Sequence, residues 1–227
     1  LFLANNFITM IITFGTRFYG KVAEHNGQWI ESKFFSVMFI PIFPLSSIYV
    51  TRSEFNKRAG FNMDLNNTSV GAAYGRLLSF IMAAIFLFLS HAAWENSGYS
   101  DNKTGIVLFP VLAVACAALW VYFCFFYGKA TLADIAMRNK VGFLTGFYAL
   151  PHWFEYYQLT GFLKSFQDTY KLAYPDSDWK ADLSGDRVPG EKHKLLFGIA
   201  LFNCMVNNLP ENDELYARAD ALYQAGI

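Results

Sequence analysis

Residues 77–94, LLSFIMAAIFLFLSHAAW, run for 18 positions without an Asp, Glu, Lys or Arg; residues 105–128, GIVLFPVLAVACAALWVYFCFFYG, run for 24 more. A helix needs about 20 apolar residues to cross a hydrocarbon core of about 30 Å. The second stretch meets that length with room for tilt. The first falls slightly short, but Gly71, Ala72, Ala73 and Tyr74 extend it if Arg76 snorkels toward the headgroups. Pro110 lies in the opening turns of the second stretch, where a lost hydrogen bond costs least, and predicts a bend near that end. A soluble fold would have to surround both helices on every side, and 227 residues supply too few neighbours. The sequence therefore predicts a membrane protein, mainly α, built on a two-helix transmembrane hairpin at residues 71–130, with spans at about 75–94 and 105–127.

Basic residues beside the spans set the expected orientation. The connecting loop holds only Lys103, whereas Arg52, Lys57, Arg58 and Arg76 precede the first span and Lys129, Arg138 and Lys140 follow the second. The positive-inside rule then places both termini in the cytoplasm. Trp94, Tyr99, Trp120, Tyr122 and Tyr127 fall near the span ends, where interfacial aromatics gather. The expected location is a membrane, crossed more than once.

Composition narrows the function classes. Only 16% of residues are charged against 54% hydrophobic and 19% aromatic, and 24 are Phe. Lys plus Arg is 18 and Asp plus Glu is 18, so no net field attracts a nucleic acid. Membrane lipid and other membrane-protein subunits are the expected partners.

Residues 1–70 read as a small β-rich cytoplasmic unit. The run Ile11, Ile12, Thr13 and Phe14 is β-branched and aromatic and closes at Gly15, while Phe18 and Tyr19 precede Gly20. His25-Asn26-Gly27 signals a hairpin turn, with strands expected at 28–35 and 48–53. Residues 34–50, FFSVMFIPIFPLSSIYV, carry Pro41 and Pro44, and read as a strand leading into an extended Pro turn near the headgroups. Asn66-Asn67-Thr68-Ser69 is placed to cap the first span. The chain opens on Leu1, and Met10 offers an alternative start that would make residues 1–9 upstream translation; an additional membrane segment at 1–16 is the other reading.

The segment FGTRFYGKV, followed by the Phe-rich run FFSVMFIPIFPLSS, resembles the N-terminal part of uncharacterised small bacterial membrane proteins, over about residues 10–50. Some of these are similar to zinc ribbons, with Cys pairs ahead of the Phe-Phe segment. Here the first cysteine is Cys116, so a ribbon in this chain would lack its metal ligands. The resemblance implies a bacterial source and no particular activity.

After the hairpin, residues 131–227 read as a helical cytoplasmic unit with three helices in its later part. Phe154, Tyr157, Phe162, Phe166, Tyr170 and Ala173 recur at helical steps, with Leu159 and Leu163 beside them. That stripe faces either a core or the cytoplasmic leaflet. Residues 174–190 read as a surface loop, 191–208 as a helix and 211–225 as a last helix. Within them 195–206 is apolar nearly all round, as suits a buried helix or a contact with another subunit.

Chemistry-bearing residues are few. Cys116 and Cys124 lie in the second span and Cys204 in a late helix, with no CxxC pair. His91 is an ionisable residue inside a span, and is weighed as an axial ligand to a haem or pigment; the second span offers no His to complete a pair. His152, Glu155 and His193 are the residues an inner-leaflet enzyme site would use, and Glu31 with Lys33 adjoins the Phe-Phe run. No residue set points to a catalytic group, a cofactor or a metal. A pore is equally poorly served, because the spans offer only Ser79, Ser90 and His91 as polar members. Alanines 83, 84, 92, 93, 113, 115, 117 and 118 suit close helix packing instead. The expected function is a non-catalytic accessory or structural subunit of a larger bacterial membrane complex, such as a respiratory or photosynthetic electron-transfer assembly. A membrane-bound enzyme and a homo-oligomeric transport element are the alternatives.

Overall fold

A computed structural model describes residues 14–54, 57–95, 104–185 and 187–225. The expected strand at Ile11–Thr13, the start-site question, Tyr99 and Lys103 fall outside them. The chain divides into two compact units, Leu1–Ala130 and Thr131–Ile227.

The first unit opens with four strands, β1 (Phe14–His25), β2 (Gln28–Val37), β3 (Ile40–Glu54) and β4 (Lys57–Met63). They form an antiparallel sheet in the order β1-β2-β3-β4. Asn26 and Gly27 join β1 to β2 with φ of 49° and 72°, the double left-handed geometry of the hairpin turn that Asn-Gly favours. Val22, Ile30, Phe34, Tyr49, Val50 and Phe61 are buried, and Tyr49 stacks on Phe61 with ring centroids 5.0 Å apart. Ser32 and Ser47 share a buried hydrogen bond of 2.7 Å across β2 and β3.

Two expectations about this sheet need correction. Gly15 and Gly20 do not bound separate strands; both lie inside β1, which bends at a register shift between Tyr19 and Val22. The Pro-containing run does not end in an extended turn, because β3 continues through Pro41 and Pro44. Those prolines pair with Ser36 and Phe34 of β2, whereas β4 joins β3 only from Ser47 onward. The missing N–H groups therefore fall on a stretch with one paired edge and beside two register shifts. Strand β4, KRAGFNM, carries too little alternation to have been seen.

Helix α1 (Asn67–Glu95) rises from the sheet, and α2 (Thr104–Phe125) returns beside it. The expected cap is present: Asn66 Oδ1 accepts the Ser69 N–H at 2.8 Å. Ser69 is fully buried, and its hydroxyl donates to the Gly20 carbonyl at 2.7 Å. Gly71 faces the Tyr127 hydroxyl and Gly75 faces the Phe123 ring so closely that a Cβ at either would collide. Gly105 and Ala93 meet at the far end of the pair. Arg76 does not snorkel. Its Nε donates to the Phe123 carbonyl and its Nη2 to the Lys21 carbonyl, both at 2.9 Å, tying the end of α2 and strand β1 to α1.

Among the expected packing alanines, Ala113 is buried, while Ala115, Ala117 and Ala118 face outward. The close seam is instead Gly71 and Gly75, four apart on one face. Gly75→Leu is expected to push Phe123 away and cost about 1–3 kcal/mol. Denaturant titration of the detergent-solubilised chain reads this loss, and an unchanged midpoint would show that the seam does not form.

The second unit holds α3 (Leu132–Thr145), a 3-10 turn (Pro151–Trp153), α4 (Tyr156–Ala173), α5 (Trp179–Ser184), α6 (Gly190–Val206) and α7 (Pro210–Ala225). The expected three helices are thus five among the described residues. α3 precedes the stretch read as helices, and it contains Gly142 with Gly146 and Pro151 just beyond it. Thr131 and Asp134 nevertheless form a reciprocal cap at its start, and Gly146 ends it. α5 lies in what reads as loop, started by Asp178 accepting the Ala181 N–H.

α6 is the core of this unit. Leu196, Phe197, Ile199, Ala200, Leu201 and Phe202 are all buried, so the middle of the helix is covered by its own chain, while Met205 near its end is exposed. Phe202 stacks on Phe166 of α4, and Phe197 on Tyr223 of α7. The α4 stripe is core-facing, through Leu159, Leu163 and Tyr170, whereas its expected members Tyr157 and Ala173 are exposed.

Candidate functional site

The feature that most departs from an ordinary protein surface is the outside of α1 and α2. Both are long and apolar enough to cross a membrane, and only 6% of the most apolar stretch of each is buried. A core helix of a soluble protein would be mostly buried. Phe88, Trp94, Val107 and Val114 are between 68% and 72% exposed, and Leu78, Phe80, Leu87, Val111 and Phe125 extend the same surface. Contiguous apolar area of this extent marks a site that meets another apolar phase.

Of the aromatic residues expected near the span ends, Tyr122 and Tyr127 cluster with Phe123 at the base of this pair, while Trp94 stands at the far end of α1. Tyr122, Phe123 and Tyr127 pack edge-on or tilted with ring centroids 5.0 to 6.2 Å apart, next to Arg76. Phe80 meets Trp120 across the two helices.

The single ionisable residues do not assemble into a reaction site. His91 is exposed and lies 3.8 Å from Glu95, one turn along α1 and on the helix's outer side. Cys116 and Cys124 are free thiols on α2. Glu31 is buried and accepts from Arg58 Nε at 3.0 Å, which makes it a support for the sheet. Glu155 is the N-cap residue of α4, its N–H held by the Gln158 side chain at 3.0 Å. His193 Nε2 lies 3.1 Å from the Val188 carbonyl, which requires the proton on that nitrogen.

His152 borders a cleft of about 350 Å³ in the second unit, with Met137, Leu150, Leu201, Cys204 and Tyr216 among its walls. Neither Glu155 nor His193 reaches it. Burial, reinforced by the hydrogen bond to Asp213, pushes the Cys204 thiol up to about 11. It is therefore protonated at neutral pH and a poor nucleophile. Burial likewise raises Tyr216 to about 12, with the Asp220 charge adding to it. The cleft is a largely apolar recess, and burial holds its thiol and its phenol in their neutral forms.

Two polar clusters that sequence reasoning missed hold the second unit together. Lys192 is 9% exposed and donates to Asp182 Oδ2 at 2.6 Å and to Ser177 Oγ at 2.9 Å. The Tyr170 hydroxyl also donates to Asp182, and the ammonium sits 4.7 Å from the Tyr174 ring centroid. Burial and the Asp182 carboxylate raise the Tyr170 hydroxyl far above its usual range. The other cluster is Asn203, Asn207 and Asn212, where Asn203 Nδ2 donates to Asn212 Oδ1 at 2.7 Å. The four-residue spacing of Asn203 and Asn207 at the end of α6 was its one sequence signal.

Two of the basic residues counted for orientation are engaged within the second unit. Arg138 is fully buried, donating to the Tyr148 carbonyl with its guanidinium over Trp153, and Lys140 pairs with Asp220. Among the described residues, no three His, Cys, Asp or Glu side chains are placed to hold a metal ion. No protein-family model, curated protein or solved structure matches this chain.

Proposed function

We propose that α1 and α2 cross a bacterial inner membrane as a hairpin, with both termini cytoplasmic, and that the chain serves as a non-catalytic accessory subunit of a larger membrane complex. The observation that carries the membrane assignment is the pair of long apolar helices with 6% of their apolar stretches buried. Arg52, Arg58, Arg76 and Lys129 on the sheet side of the pair support the orientation. The subunit role draws on the exposed aromatic surface of the helices, since aromatic side chains are enriched where membrane and protein surfaces meet partners. The apolar helix α6 does not add to it, because its own unit covers that helix.

Extraction from native membranes in mild detergent tests both parts. The protein is expected in the membrane pellet after an alkaline wash, and in a particle larger than its own 25.8 kDa plus detergent, with fixed companion polypeptides. Visible absorption of that particle would connect it to an electron-transfer assembly. Release by the wash overturns the membrane assignment. A stable colourless monomer without companions overturns the subunit role alone.

A further inference from the structure

The sheet is polarised along its strands. At the β1–β2 turn and the β3–β4 end stand Lys21, Glu24, His25, Gln28, Glu31, Arg52 and Arg58. At the β2–β3 turn and the start of β1 stand Phe14, Val37, Met38, Phe39, Ile40, Ile42 and Phe43. Phe14 is 68% exposed and Phe39 62%, and Met38, Ile40, Ile42 and Phe43 are exposed with them.

The two turns that flank β2 make the contrast sharper. Both carry positive φ at two successive residues, but one uses Asn26-Gly27 and the other Met38-Phe39, at 49° and 71°. Bulky side chains resist that conformation, whereas Asn and Gly accept it. A strained turn that presents Met and Phe outward places apolar bulk at a tip, a pattern with a functional rather than a folding rationale. The tip is also braced: the Tyr19 hydroxyl donates to the Phe39 carbonyl at 2.7 Å, and the Arg17 guanidinium lies 4.0 Å from the Phe39 ring centroid.

Contacts with α1 give the direction in which this tip points. Ser69, in the first turn of α1, touches Gly20. Further along, Tyr74 packs its ring on Phe34 at 5.5 Å and donates to the Ile42 carbonyl at 2.9 Å. Phe34 stands opposite Arg17 in the register, and Ile42 lies beyond it toward the turn. From Ser69 to Tyr74 the contacts of α1 therefore step along the sheet toward the Met38-Phe39 turn, while the longer Arg76 side chain reaches back to the Lys21 carbonyl.

Resting on the membrane assignment above, we propose that the β2–β3 turn is a membrane anchor, seating Met38, Phe39 and Ile40 at the headgroup–acyl boundary of the leaflet that α1 enters. The occupant is phospholipid rather than another strand. Pro41 and Pro44 carry no N–H on the stretch of β3 that β4 does not cover, and Tyr74 occupies the Ile42 carbonyl, which disfavours strand addition there. Arg17, stacked on Phe39, stands at the level where lipid phosphates would lie.

The test uses the full chain with Cys116, Cys124 and Cys204 changed to Ala, in vesicles of phosphatidylcholine and phosphatidylglycerol. Single cysteines at Phe39→Cys, Leu87→Cys and Arg52→Cys carry a polarity-sensitive fluorophore, and spin-labelled lipids of graded depth act as quenchers. The label at 39 is expected to shift blue and to be quenched at a depth of about 5–10 Å. The label at 87 should be quenched by the deepest lipids and that at 52 by none. Quenching at 87 with a water-like label at 39 overturns the anchor and leaves the hairpin standing. A blue-shifted but unquenched label at 39 also overturns it, because protein would then cover the tip. No quenching at 87 removes the membrane assignment and the anchor with it. Met38→Cys repeats the measurement should the label at 39 disturb the turn.

Discussion

Gly20→Ala is expected to detach the sheet from α1 and to cost about 3 kcal/mol. Two effects add at this position. The φ of 73° is one that an L side chain adopts at a cost of about 1–2 kcal/mol. The new Cβ would also collide with the Ser69 carbonyl, which is helix backbone and cannot rotate away. Relief requires the first turn of α1 to move off β1, which breaks the hydrogen bond from Ser69 to Gly20. Gly27 supplies the control, since its φ is 72° and a Cβ there meets nothing within 4 Å. Gly27→Ala should therefore show the conformational cost alone, about 1 kcal/mol. Thermal unfolding of the two variants in detergent separates the terms. Equal losses would show that Ser69 and Gly20 are not in contact.

Asp182→Ala is the second large effect, about 3 kcal/mol, because it leaves the Lys192 ammonium nearly enclosed without its carboxylate. The pair is little exposed, 11% at Lys192 and 26% at Asp182, so the loss falls at the low end for a buried ion pair. Adding Lys192→Met to Asp182→Ala should recover most of it, since two neutral side chains leave no stranded charge. The hydrogen bond from Lys192, then that from Tyr170, holds the Asp182 carboxyl below its ordinary value of 3.8. A depressed carboxyl stabilises the fold above its unfolded value, and that contribution fades as pH falls through the folded one. The stability gap between the parent chain and Asp182→Asn should thus be full at neutral pH and shrink below about pH 4. A gap that does not change with pH would show that the carboxylate has no charged partner.

The apolar helices, the Asn-Gly turn and the Asn66 cap were legible because each is a local pattern of residue type and spacing. α6 was legible as a helix but not as a core, since an apolar surface reads the same whether its own chain or a partner covers it. β4 and α3 were hidden for a different reason. In β4 the residues that pair, Lys57 to Met63, alternate weakly, and in α3 the glycine at 142 makes room for the Tyr148 ring. The Arg76 tether could not have been read at all. Its acceptors are main-chain carbonyls 47 and 55 residues away, and carbonyls carry no sequence signature. Similarly, Met38-Phe39 lacks the residues of a tight turn, so the hairpin there became visible only in the pairing of β2 with β3.

The order of the strands has a consequence for how the chain is made. Every strand pairs with the one before it, and all four precede α1 in sequence. During synthesis the sheet can close hairpin by hairpin, without waiting for any distant segment. Its docking partners, Ser69 and Arg76, then emerge directly behind it. The sheet should accordingly be complete before it seats against the base of α1, when Arg76 takes the Lys21 carbonyl.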